Sequence, residues 1–162
     1  MQIRKATSAD AEAITQVFMD SAEHHATLNP QRCYVPASES IIDRYRNGHQ
    51  HPVPGPDSIT FVAEENGSIL GFLDARIEEP YDPMIRPIKY CFVSDIAVSA
   101  AHRSRGIGEK LMHAAERWAR ERGAGYVLLE YGQNNSRAAA LYERLGYSPT
   151  SITMLKWLSE SQ

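Results

Sequence analysis

The sequence is poor in what would commit it to a membrane, a disulfide framework or a nucleic acid. No run approaches the ~20 apolar residues that a membrane span needs. The first residues, Met1-Gln2-Ile3-Arg4-Lys5, lack the apolar stretch of a secretory signal, so a cytoplasmic protein is expected. Only two cysteines occur, Cys33 and Cys91. They cannot build a zinc-finger framework and do not suggest a stapled secreted domain. Basic charge is not in excess: 17 Lys and Arg face 20 Asp and Glu, a net charge of −3. General nucleic-acid binding, which needs a basic face, is not expected. An anionic ligand stays open, because backbone amides can hold one without side-chain charge. Six histidines are present. His24-His25 and His49-x-His51 fall in predicted helix ends and loops, not at a ligand spacing on a helix, so no metal is expected.

What is there is ordinary globular chain. Apolar residues make up 43% of 162, too many for disorder and enough for one domain over 1–162 with one core. Ile3 to Ala6 reads as a strand. Thr7 and Ser8 can cap a helix with Asp10 and Glu12 in its first turn and Ile14, Val17, Phe18 and Ala22 on its buried stripe. Ser38 opens a second helix with Ile41, Ile42 and Tyr45, stopping at Asn47-Gly48; a proline-rich loop follows over 49–58. Ile59–Glu64 and Ile69–Ile77 flank Asn66-Gly67, a hairpin signal. On the second run Ile69, Gly71, Leu73, Ala75 and Ile77 are expected on one face. Ile88–Val98 is long enough for a central strand. A helix runs from about Gly108 to Arg122 and a strand over Tyr126–Tyr131. Asn135 caps a helix with Ala138, Leu141, Tyr142 and Leu145, and Ile152–Leu158 reads as a last strand. Trp118 and Trp157 read as packing residues. The order is β-α-α-β-β-β-α-β-α-β, a mixed α/β (α+β) pattern.

One segment carries chemistry. Arg103-x-x-Gly106-x-Gly108 lies between a strand and a helix N-terminus, where unpaired N–H groups and the helix dipole favour an anion. Glycine lets the backbone approach a ligand closely. A Walker loop needs a Gly-Lys pair, and none occurs. The dinucleotide fingerprint needs a third glycine where Leu111 stands. The remaining alternatives are an anion nest or a tight strand-to-helix turn.

Val98-x4-Arg103-x-x-Gly106-x-Gly108, followed by Asn135-x-x-Ala138-x-x-Leu141-Tyr142-Glu143-x-x-Gly146-Tyr147, resembles the two signatures of the GCN5-related N-acetyltransferase (GNAT) superfamily. The resemblance implies a single domain with a central mixed, mostly antiparallel sheet. About four helices flank it, and it splays between strands four and five. It implies acetyl-CoA as acyl-donor cosubstrate, an amine acceptor, direct transfer in a ternary complex, and a homodimer. Backbone groups of Ile96, Ala97 and Val98 would pair with the pantetheine arm. Amides of Arg103, Ser104, Arg105, Gly106, Ile107 and Gly108 would hold the pyrophosphate, and Asn135 would contact the pantetheine. Tyr142 matches the tyrosine beside the thioester sulfur, suited to protonate the leaving thiolate.

Two acids compete for the general base. Glu130 precedes Asn135 by five residues and Tyr142 by twelve, similar to the bacterial ribosomal-protein N-terminal acetyltransferases of that superfamily. Asp95 lies in the fourth strand. A regular strand would put its side chain with Val93 and Ala97, and a bulge would change that. Phe92 stands where histone-acetylating relatives carry a glutamate. The rival function is a non-catalytic acyl-CoA-binding or protein-interaction module. The acceptor itself, whether small amine, amino acid or peptide N-terminus, is not specified.

Overall fold

A computed structural model of the chain describes residues 1–46 and 56–158. Five strands form one sheet in the order of the sequence: β1 (Gln2–Lys5), β2 (Ser58–Glu65), β3 (Ser68–Glu78), β4 (Tyr90–Val98) and β5 (Tyr126–Leu129). The first three junctions are antiparallel and β4–β5 is parallel. Helices α1 (Ala11–Leu28) and α2 (Ser38–Arg46) follow β1, α3 (Ile107–Glu121) joins β4 to β5, and α4 (Ser136–Arg144) follows β5. The predicted end of α2 at Asn47-Gly48 and most of the proline-rich loop lie outside the described residues. Among the described residues no helix is long and apolar enough to cross a membrane.

Local rules set the elements. Thr7 N–H and Oγ1 both donate to the Asp10 carboxylate at 2.7 and 3.0 Å, and Arg4 grips the same carboxylate with two bonds of 2.8 Å. Those contacts tie β1 to the entrance of α1 and hold the Asp10 carboxyl well below its usual range, Arg4 first among the causes. Asn66 and Gly67 have φ of 53° and 78°, the two positive values that a tight hairpin needs.

The sheet is covered on both faces. Ile14, Val17, Ile41 and Tyr45 of α1 and α2 pack on Val62, Phe72 and Ala97. On the other face Leu111, Met112, Ala115 and Trp118 of α3 pack on Phe61, Leu73, Cys91 and Val93, with Leu141 and Tyr142 of α4 and its C-cap Leu145 at the margin.

Two bulges alter the expected faces. A shift after Ala63 pairs Glu64 with Ile69, so Leu70 turns to the α3 side and Ile69 packs on the α1 side. A second shift pairs Asp74 with Asp95 but Ala75 with Val93, leaving Ser94 as the extra residue. Asp95 therefore parts from Val93 and stands beside Asp74 on the face covered by α1 and α2. Gly71 is required nearby: a Cβ there would lie 2.8 Å from the backbone oxygen of Ala97.

The predicted strand Ile152–Leu158 does not form. Trp157, read as a packing residue, is 49% exposed. A strand needs a neighbouring ladder, and this stretch has none among the described residues.

Candidate active site

β4 and β5 pair only over Tyr90–Val93 and Tyr126–Leu129. β5 ends at Leu129 while β4 runs on to Val98, so beyond Val93 the two part and the backbone of Ser94–Val98 has no ladder partner on that side. The divergence opens a cleft of about 570 Å³, lined by Ile96, Ala97 and Val98 on one side and by Asn135, Ala138, Leu141 and Tyr142 on the other. A smaller cavity of about 170 Å³ adjoins it, lined in part by Asp95, Glu130, Tyr131, Phe18 and His25. Ile96, Ala97, Asn135, Tyr142 and His25 line both, so the two cavities meet there.

The floor of the large cleft is the turn before α3. Ser104 has φ 64° and Gly106 φ 74°, so two left-handed residues almost in succession curl the backbone into a concave turn under the helix N-terminus. Gly106 tolerates this; an L side chain there would be strained. At Gly108 a Cβ would approach Leu141 Cδ2 to 3.2 Å, so glycine also lets α3 and α4 pack closely at the cleft wall.

The basic residues divide their work. Arg103 Nε donates to the Val98 carbonyl at 3.2 Å and its Nη2 to the Asp20 carbonyl at 3.4 Å, which pins the turn to β4 and α1. Its side chain still lines the cleft. Arg105 does not line it; its guanidinium pairs with Glu65 at 3.3 Å. Arg137 does line it, and donates to the Ser104 hydroxyl at 2.6 Å, supporting the strained residue of the turn. Arg137 was not legible as a ligand group, although a cation in the first turn of a helix opposes the dipole and signals another use. His24 and His25 were also missed. Burial holds the His24 imidazole below its ordinary range, and Arg103, His25 and Arg137 add to the shift.

Asn135 accepts from Ala138 N–H at 3.1 Å and caps α4 while facing both cavities. Tyr142 is 6% exposed, its ring 5.6 Å from Tyr131 and 6.0 Å from Tyr147. Burial, with Tyr131 beside it, pushes its hydroxyl up to about 12, so it holds its proton through the neutral range. Glu130 stands one residue past β5 at the exposed rim of the small cavity. Asp95 accepts from Arg44 at 3.1 Å, and burial raises its carboxyl above the usual range despite that partner. Every expected residue except Arg105 lines one of the two cavities; Arg105 has its backbone in the turn but its side chain pairs with Glu65 outside. Among the described residues no group of three or more His, Cys, Asp or Glu is placed to hold a metal.

A parallel strand pair that parts above a glycine turn and helix N-terminus is the architecture of the acetyltransferase fold. The acetyltransferase (GNAT) family matches residues 19–147, and the chain belongs to it. It is 28% identical over 147 residues to the uncharacterized N-acetyltransferase YhfO of Bacillus subtilis, covering 91% of this chain and 89% of that one. Among solved structures, a variant of the BH1408 protein from Bacillus halodurans superposes with a TM-score of 0.87 at 24% identity, covering 98% of this chain and all of that one. The aminoglycoside N-acetyltransferase AAC(6')-Iy in complex with CoA superposes with a TM-score of 0.69 at 20% identity over 96% and 93% of the two chains. The last two likenesses show the shared fold.

Proposed function

We propose that the large cleft takes acetyl-CoA and that the chain transfers its acetyl group to a primary amine held in the small cavity. The amine belongs to a small molecule, an amino acid or a peptide N-terminus. The observation that carries this reading is the junction itself. The large cleft and the small cavity meet at Tyr142, with an acid, Glu130, lining the small one.

The residues fit acetyl-CoA. The unladdered backbone of Ile96–Val98 suits the pantetheine amides, which can extend it like a strand. The amides over 103–108, with Arg103 and Arg137 nearby, suit a pyrophosphate. In the transfer the amine nitrogen bonds to the thioester carbon and the carbon–sulfur bond breaks. Backbone N–H groups near Ile96–Val98 hold the oxyanion that develops, a role often worth ~3 kcal/mol. Glu130 takes one ammonium proton through a water, Tyr142 gives its proton to the departing thiolate, and the second proton lost by the nitrogen restores the Tyr142 hydroxyl.

The test is incubation with acetyl-CoA and a panel of amino sugars, amino acids and peptides, followed by detection of free thiol. Thiol release that depends on one acceptor class is expected. Tight acetyl-CoA binding without acceptor-stimulated release across a broad panel would sink the reading.

A further inference from the structure

Three residues of the site ride on one short helix. α4 carries Arg137 and Tyr142 and is capped by Asn135, and it is nine residues long. A helix that short has little stability of its own. Where the Tyr142 ring points is therefore decided by how α4 is seated on α3. One tie between them joins Arg144 to Glu109 at 3.4 Å, but both side chains are exposed, and such a pair contributes little. The other tie is Glu116. It follows Met112 by four residues and precedes Ala119 by three, and both of those are buried, so Glu116 stands on the packed stripe of α3. Only 16% of its side chain is exposed. A carboxylate in that position needs partners. It accepts from the Tyr147 hydroxyl at 3.0 Å on one oxygen, and His113 Nδ1 lies 3.1 Å from the other.

Tyr147 is brought there by the end of α4. Gly146, at φ 85°, turns the chain back, and Tyr147 N–H donates to the Tyr142 carbonyl at 2.9 Å. The Tyr147 ring thereby meets the Tyr142 ring edge-on, the centroids 6.0 Å apart and the planes at 61°. Tyr131 closes the other side at 5.6 Å, but it is an exposed residue. Tyr147 is the neighbour that is tied at its far end. Burial, with Glu116 beside it, holds the Tyr147 hydroxyl above its ordinary range, so it stays a donor to that carboxylate.

We propose that Glu116 is a positioning residue for Tyr142: it fixes the Tyr147 ring through its hydroxyl, and that ring fixes the orientation of Tyr142. The inference rests on the reading of Tyr142 as the acid toward the thiolate. It adds two residues that touch neither cavity, since Glu116 and Tyr147 line none of either wall. Apolar residues at both positions could fill the same space without a carboxylate on the packed stripe. What the polar pair adds is direction. A hydrogen bond holds the Tyr147 ring at one height and rotation, and proton transfer is sensitive to misplacement of the donor by fractions of an ångström.

The first test needs no acceptor. In the full chain labelled with 3-fluorotyrosine, the Tyr142 fluorine resonance is identified by its loss in Tyr142→Phe. Glu116→Ala and Tyr147→Phe should each move it. Glu116→Gln, whose amide oxygen still accepts from Tyr147, should return it. The second test is turnover per acetyl-CoA site, the sites counted by calorimetry. Glu116→Ala should lower kcat ~10-fold with KM nearly unchanged, and Glu116→Gln should stay within about twofold of the unaltered protein. Added to Tyr142→Phe, Glu116→Ala should cost nothing more, because the hydroxyl it positions is already gone. A Tyr142 resonance indifferent to Glu116→Ala would overturn the proposal. So would a kcat loss that persists in full in the Tyr142→Phe chain, the mark of a merely structural role. A resonance that moves in a protein that acetylates no amine supports the seating of Tyr142 and strikes only the transfer reading.

Discussion

Asp74 and Asp95 stand directly opposite each other on β3 and β4, two carboxylates side by side on the helix-covered face of the sheet. Like charges in that relation repel. Arg44 of α2 answers both, 3.1 Å from Asp95 and 4.0 Å from Asp74. Asp74 has no exposed surface and accepts from Thr60 at 2.6 Å and from Tyr45 at 2.9 Å. Burial pushes its carboxyl up to about 6, Asp95 adding to the shift against the two hydrogen bonds.

The sign of the resulting pH dependence follows. An acid whose folded pKa exceeds its unfolded value of ~3.9 binds more protons folded than unfolded between the two. Its contribution to stability is whole below about pH 4 and is lost as pH rises through about 6. Two pKa units correspond to about 3 kcal/mol. Asn at this position can still accept from Thr60 and has no proton to lose. The stability gap between the protein and Asp74→Asn should therefore change by about 3 kcal/mol in favour of the variant from pH 4 to pH 7. Urea midpoints across that range measure it, and a constant gap would refute the raised carboxyl.

Tyr142→Phe keeps a ring between Tyr131 and Tyr147 and removes only the hydroxyl. In the proposed transfer that hydroxyl, which holds its proton through the neutral range, acts as an acid toward the thiolate. A fall in kcat of ~10²-fold is expected, with acetyl-CoA affinity nearly unchanged. Equal losses in affinity and turnover, measured by calorimetry and steady-state kinetics, would reassign Tyr142 to shaping the cleft.

Much of this arrangement was legible in the letters. Asn66-Gly67 announced the hairpin, and Gly106 and Gly108 announced the turn, because a positive φ and a close approach each demand a particular residue. Asp95 was not placed, since a bulge at Ser94 follows from how β3 and β4 settle against their helices, not from alternation. Ile152–Leu158 has the composition of a strand but no ladder among the described residues; composition supplies one side of a ladder only. Arg137 and His25 were missed for a related reason. Periodicity says which face of a helix is buried, not which side chains from distant elements meet across a cleft.

The two arginines near the turn separate by what they touch. Arg137 lines the large cleft and supports Ser104, whereas Arg105 turns to Glu65 outside it. Arg137→Ala should raise the acetyl-CoA dissociation constant ~10-fold and flatten its dependence on salt, as loss of a charge-assisted phosphate contact would. Arg105→Ala should stay within about twofold, as an exposed ion pair contributes little. Titration calorimetry at two salt concentrations separates them. Equal effects would mean that the turn acts through its overall charge instead of through Arg137.

The proton taken from the amine distinguishes three groups around the small cavity. Asp95 is occupied by Arg44, so removing its charge takes one partner from a half-buried cation and should act on stability as well as on rate. His25 lies on the last turn of α1 at the junction of the two cavities. Glu130 stands at the rim, open to the water that would relay the proton. If Glu130 is the base, Glu130→Gln lowers kcat/KM by ~10²-fold or more and removes the rising limb of its pH profile, with unfolding unchanged. His25→Gln then keeps that limb. A limb that survives Glu130→Gln and disappears in His25→Gln moves the base to α1. One that disappears only in Asp95→Asn, with a drop in stability, moves it to β4, where Arg44 would have to release the carboxylate before each turnover.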